Sequence, residues 1–307
     1  MKSILHKTIA AGAAALLLAI TDSHAGFAYT IGNNGNQLVK FDLATPGVIT
    51  SVLPVTGAVT NLGGIDFRPA DGLLYGFDNS TGGRIVTIDI TTGVTTLVST
   101  SSTNSSSGNM GIDFNPVADR LRVVNEADQN LRINVATGAA TVDGTLAYAV
   151  GDTNNGVNPS IIDAAYTNSF AGAITTSLFY IDNNLDTLVS TTNPNGGVLN
   201  TVGALNFPTN DRTGFDILSD GLGGNTAYAL LTSVGGQAAL YTVNLSTGAA
   251  TAVGDLGGSA VRPYGLAVDQ TPSVIPEPGT VLFGLALIGV AFSRLMIYRG
   301  SKATVRA

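Results

Sequence analysis

The chain has no cysteine and no tryptophan, and its two histidines, His6 and His24, both fall in an N-terminal leader. Once that leader is removed, neither imidazole nor thiol remains. A Ser-His-Asp triad, a cysteine nucleophile and a histidine- or thiolate-held zinc or iron site are thereby excluded. The lack of cysteine also rules out disulfides and a lipid-modified N-terminal cysteine, so stability must come from packing alone. Glutamate is nearly missing: between Gly26 and Gly279 there are only Glu126 and Glu277. Basic residues are scarce too, with 8 Lys/Arg against 20 Asp/Glu in that stretch. Such a surplus of negative charge argues against nucleic acid and anionic lipid as partners. It suits solubility outside the cell, or the binding of cations. Gly, Ser, Thr and Asn are abundant and helical patterning is scarce, the balance of an all-β secreted domain.

What is present starts at the two ends. Lys2 and Lys7 precede the apolar run Ile9–Ile20, and Ser23-His24-Ala25 places small residues where a signal peptidase reads them. Cleavage after Ala25 would leave Gly26 first. At the other end Pro276-Glu277-Pro278-Gly279 leads into the apolar run Val281–Phe292 and then Arg294. The two prolines deny the backbone a helix and leave an extended stretch that a processing enzyme can reach. Val281–Phe292 would rise about 18 Å as a helix, short of a roughly 30 Å hydrocarbon core, and continuing to Tyr298 brings it close to full length. Arg294 would snorkel, and Arg299, Lys302 and Arg306 would hold the end in the cytoplasm. Motif, span and basic end in this order resemble the PEP-CTERM sorting signal, which an exosortase recognises and cuts in Gram-negative bacteria. A plain stop-transfer anchor is the competing reading. In that family the basic cluster usually ends the chain soon after the span, whereas here Leu295–Tyr298 and a further tail follow Arg294. The expected organisation is a signal peptide (1–25), a folded domain (26–270), a linker with the sorting motif (271–279), a transmembrane segment (280–298) and a basic cytoplasmic tail (299–307). About 250 residues between the two signals are enough for one sizeable core.

Internal repetition organises the middle. One element reads Gly64-Ile65-Asp66-Phe67 and then Gly111-Ile112-Asp113-Phe114. Weaker copies are Ile162-Asp163-Ala164 and Gly214-Phe215-Asp216-Ile217, and the last is Gly265-Leu266-Ala267-Val268. A second element is an alternating strand closed by a Thr/Gly turn, as in Ile88–Ile90 before Thr92-Gly93, Ile133–Val135 before Thr137-Gly138, and Val243–Leu245 before Thr247-Gly248. The period of two predicts strands with one packed face, and Gly after Thr supplies the positive φ of a tight turn. Copies recur about every 45–56 residues, a propeller-like repeat length with four strands per unit. The chain begins in mid-unit, with Ala28–Ile31, and ends on an unpartnered first strand, Gly265–Val268. Joining the two predicts an all-β, five-bladed propeller whose first blade is closed by the C-terminal strand, leaving no open ring edge. An open stack or a two-sheet sandwich is the competing arrangement.

The region from Gly26 to Asp269 also resembles a bacterial family called domain of unknown function 4394. The resemblance is carried by Gly111–Pro116, Asp119–Asn125 and Asn130–Asn134 with Thr137-Gly138. It implies a propeller-like all-β fold, often joined to this sorting tail, and no established activity.

Two candidate sites follow from the repeats. Asp66, Asp113, Asp163 and Asp216 hold equivalent places and would line the central channel, where four carboxylates could hold a hard cation such as Ca²⁺. Alternatively each bonds backbone amides of a neighbouring blade, a structural need that would recur in every unit. Arg120, Arg122 and Arg132 cluster in one unit and, with Asn125 and Asn130, could form a patch for an anionic sugar or carboxylate. Cross-strand pairing with Asp119, Glu126 and Asp128 is the plainer expectation. Asp182-Asn183-Asn184-Leu185-Asp186 lacks the glycine and distal glutamate of a calcium loop and reads as a polar turn. The Ser/Thr/Asn run Ser99–Ser107 reads as a flexible connection.

The resulting expectation is an exported, non-catalytic binding or structural propeller, anchored in the inner membrane before processing and then placed at the cell surface or in the extracellular matrix. Exosortase and signal peptidase would process it, exopolysaccharide or matrix proteins would be its partners, and no cofactor beyond Ca²⁺ is implied. The rival is a Ca²⁺-dependent hydrolase or glycosidase using the channel aspartates.

Overall fold

In the computed structural model the described residues are 26–270, apart from 33–34, 79–81, 211, 233–235, 237 and 258–262. The leader, the Pro-Glu-Pro motif at 276–279, the expected membrane segment 280–298 and the basic tail lie outside them. Among the described residues no helix is long and apolar enough to cross a membrane.

The alternating segments form five antiparallel sheets arranged as blades. Blade 1 joins Phe27–Gly32, Gln37–Asp42 and Ile49–Pro54 to the far end of the chain, Tyr264–Val268. Blade 2 holds Gly64–Phe67, Leu74–Asp78, Arg84–Ile88 and Val94–Thr100. Blade 3 holds Met110–Asn115, Arg120–Asn125, Asn130–Ile133 and Ala140–Val142. Blade 4 holds Ile161–Tyr166, Leu178–Asp182, Thr187–Asn193 and Val198–Ala204. Blade 5 holds Thr213–Ser219, Asn225–Thr232, Ala238–Val243 and Ala250–Asp255. The strand that starts each of blades 2 to 5 packs on its counterparts in both neighbours, and Tyr264–Val268 completes the circle.

Closure takes the expected form. Ala28 pairs with Val268 and Tyr29 with Ala267, and the Thr30 hydroxyl donates to the Gly265 carbonyl at 2.7 Å. The second repeat element forms the hairpin turns. Asp89, Asn134 and Asn244 each accept the amide two residues on, and Gly93, Gly138 and Gly248 follow with φ of 76°, 72° and 82°. A side-chain acceptor then a left-handed glycine is the chemistry such a turn requires.

The core is not one body, contrary to the expectation of a single sizeable core. It divides into five apolar clusters, each shared by two neighbouring blades. Tyr29, Ile31 and Leu38 of blade 1, for example, pack with Ile65, Phe67 and Val86 of blade 2. A radial sheet has two faces, and each must be covered by the next blade, so the apolar surface lies between blades.

Two other features depart from the sequence reading. Blades 2 and 4 carry a fifth, two-residue strand: Thr56–Gly57 runs parallel to Val94–Thr95, and Ala147–Tyr148 parallel to Val198–Leu199. Each is part of the connection arriving from the previous blade, tied on its way to the channel. The run Ser99–Ser107 is not a loose connection. It starts as the end of strand Val94–Thr100, and Ser101 and Ser105 are buried. Asn125 Nδ2 donates to Ser105 Oγ at 2.8 Å, and Ser107 Oγ donates to Glu126 at 2.5 Å.

Candidate functional site

The innermost strands crowd one another closely. A Cβ on Gly214 would lie 2.5 Å from the Gly265 carbonyl carbon, so the glycine of the repeated element lets adjacent strands touch. Two residues later the aspartates point inward and are sealed: Asp66, Asp113, Asp163 and Asp216 are only 1–3% exposed.

Each carboxylate reaches towards the next blade. Asp66 Oδ2 accepts the Phe114 amide at 2.7 Å, and Asp216 Oδ2 accepts the Val268 amide at 2.6 Å. Asp163 accepts the Thr213 hydroxyl and is also polarised by the Phe215 amide. Asp113 is polarised by the Tyr166 amide, yet its Oδ1 makes no hydrogen bond. The fifth unit carries Ala267 at the equivalent place, so blade 1 sends no such link to blade 2.

Three of the four also meet each other. One carboxylate oxygen from each of Asp66, Asp113 and Asp216 lies within 4.8 Å of the other two; Asp163 stands outside this group. A bulge between Ile161 and Asp163 shifts that strand's register, and its copy of the repeat lacks the preceding glycine. At 4.8 Å, two charges at an effective dielectric of 20 repel by roughly 3 kcal/mol. Burial first, and the neighbouring carboxylates second, push the pKa values of Asp66 and Asp113 far above the ordinary range. Burial pushes Asp216 and Asp163 up to about 7. No ion pair among the described residues includes any of these four.

The arginines of blade 3 are not brought together as a surface patch. Arg122 is buried, with Nη1 donating to Asn130 Oδ1 at 2.6 Å and to Asp143 Oδ2 at 2.7 Å. Its other nitrogens reach Tyr166 and Asn195 of blade 4, at 3.2 Å and 3.0 Å. Arg132 grips the same Asp143 through two nitrogens, at 2.6 Å and 2.8 Å. Arg120 bonds the carbonyls of Ala118 and Asp119, and Asn125 holds the Ser105 loop. The expected partners do not serve either: Asp119 accepts two hydrogen bonds from Arg68 of blade 2, at 2.8 Å and 2.5 Å, which lowers its pKa. Arg122 is a clamp between blades 3 and 4, while Arg120 and Arg132 bond within blade 3. The turn at Asp182–Asp186 is the polar turn expected, with Asp182 Oδ1 accepting the Asn184 and Leu185 amides.

A site not read from the sequence opens where the inner strands end. A pocket of about 270 Å³ lies among Phe67, Pro69, Phe170, Asp220, Asp269 and Gln270. Phe170 and Asp220 come from loops just beyond the innermost strands of blades 4 and 5, while Gln270 donates to the Ile217 carbonyl at 3.0 Å. An aromatic-lined hollow with a polar rim is suited to holding a small organic ligand.

The family described as Domain of unknown function (DUF4394) matches residues 37–267. No curated protein sequence matches the chain. Among solved structures, a putative 6-phosphogluconolactonase from Bacteroides uniformis is similar at 13% identity, over 76% of this chain and 83% of that one, with a TM-score of 0.40. A protein of unknown function from Bacteroides thetaiotaomicron is similar at 16% identity, over 80% and 65%, with a TM-score of 0.47. A GH43 glycoside hydrolase is similar at 11% identity, over 74% and 51%, with a TM-score of 0.46. At these scores none bears on function.

Proposed function

The chain belongs to the DUF4394 family, and from that premise we propose that it is an exported, non-catalytic propeller of the cell surface or extracellular matrix that binds exopolysaccharide. The leader ending at Ala25 would direct export, and an exosortase would cut at Pro276–Gly279 and release the chain from the inner membrane. The observation that carries the reading is the sealing of the channel carboxylates. Groups only 1–3% exposed cannot deliver a proton to a glycosidic bond, although their raised pKa values would otherwise suit a general acid. The pocket at the channel mouth is the binding surface of this reading, with Phe170 meeting the apolar face of a sugar ring, the buried Phe67 behind it, and Asp220 and Asp269 at its rim.

The test passes the full chain over immobilised exopolysaccharide from the producing organism. Retention is expected, with a severalfold loss on Phe170→Ala. No retention, with or without Ca²⁺, would defeat the reading. A measured hydrolysis destroyed by Asp66→Asn with the fold intact would replace it with the hydrolase.

A further inference from the structure

We propose that Asp66, Asp113 and Asp216 form a binding site for one Ca²⁺ ion at the centre of the ring. The three carboxylates come from blades 2, 3 and 5, and each places an oxygen within 4.8 Å of the others. Asp113, 2% exposed, adds an independent sign: its Oδ1 has no hydrogen-bond partner. A buried carboxylate oxygen without a donor is an acceptor in want of a proton or a cation. The amide bonds to Asp66 and Asp216 do not compete with a cation. Each oxygen has more than one lone pair, so the Phe114 and Val268 amides fix the carboxylates and still leave lone pairs free to bind a cation.

Oxygen ligands alone, with no imidazole or thiolate in the region, select a hard cation. Ca²⁺ holds oxygens at about 2.3–2.6 Å, so two of its ligands can stand about 5 Å apart; Mg²⁺, at about 2.1 Å, draws them within about 4.2 Å and retains more water. In a channel this tightly packed, the ion with the looser geometry and the readier loss of water fits better. The sealing of the site implies that the ion enters as the ring closes, making cation binding part of folding.

The test unfolds the full chain, refolds it with CaCl₂, MgCl₂ or EGTA, and measures metal content and thermal melting. Metal content and melting do not involve polysaccharide, so this proposal and the binding function stand or fall separately. The expected result is one Ca²⁺ per chain and, at about a hundredfold excess over Kd, a Tm about 5–10 °C above the EGTA sample, with little response to Mg²⁺. Asp113→Asn should lose both the bound calcium and the Ca²⁺ response, while Asp163→Asn keeps them. Calcium-free protein melting alike in CaCl₂ and EGTA would overturn the proposal and leave three carboxyls sharing protons. Undiminished calcium in Asp113→Asn would place the ion elsewhere and overturn it equally. Should Asp113→Asn fail to fold, the calcium content and Ca²⁺ response of the parent chain still decide.

Discussion

Raising the pH from 5 to 7.5 should destabilise this protein when it is free of metal, and Asp163 isolates the reason. Its carboxyl is buried, no ion pair among the described residues includes it, and it receives only the Thr213 hydroxyl and the influence of the Phe215 amide. Burial raises its pKa from 3.8 to about 7. Below pH 3.8 both folded and unfolded chains carry the proton, so the group is neutral in its effect. Between there and 7 the unfolded chain releases the proton while the folded one keeps it, so stability falls as pH rises. Above 7 both are ionised and the loss levels off. A shift of that size corresponds to about 4 kcal/mol, most of it falling between pH 5 and 7.5 for this one group. Asp89, Asp119, Asp152 and Asp220, whose pKa values are lowered, act below that window and in the opposite sense. Urea unfolding of the metal-free chain at a series of pH values measures the slope. Asp163→Asn, which keeps an acceptor for Thr213, should flatten it by a few kcal/mol. A midpoint that is constant or rises from pH 5 to 7.5, or a variant with the parent's slope, would refute the reasoning.

Asp143→Asn leaves the buried Arg122 with an uncompensated charge and weakens Arg132 as well, so a loss of about 3–5 kcal/mol is expected in urea denaturation. By contrast Asp119→Asn, at a more exposed pair with Arg68, should cost about 1 kcal/mol or less in the same assay. A chain stopped after Gln270 should keep the ring, whereas one stopped before Tyr264 leaves blade 1 without its inner strand and should aggregate on size-exclusion chromatography.

The blades were legible because their signals are local. Alternation sets each strand, and Thr92-Gly93 or Thr247-Gly248 sets each turn within five residues of chain. Closure was legible too, since a first strand without followers and a following set without a first strand complete each other. What escaped depends on the neighbouring blade. Arg120 and Arg122 look alike in the alternation, yet Arg122 is buried because Tyr166 and Asn195 come across from blade 4. Its partner Asp143 follows the last strand of blade 3 and carries no pattern that marks it. The exclusion of Asp163 from the carboxylate trio did leave a trace, because its copy of the repeat has Ile where the others have Gly. The two-residue strands at Thr56 and Ala147 are too short to show any period, and the Ser-rich run hid its buried hydroxyls behind a loop-like composition.

Thr30 and Gly265, joined by a hydrogen bond, are 235 residues apart in the chain. During synthesis the amino-terminal strand must therefore wait, its edge unsatisfied, until almost everything after it has been made. Blades 2 to 5 each have all their strands in sequence and can form as they emerge, but the seal comes last and by the longest route, a topology that folds slowly. The interval before sealing is when this molecule is most exposed to pairing with the wrong neighbour.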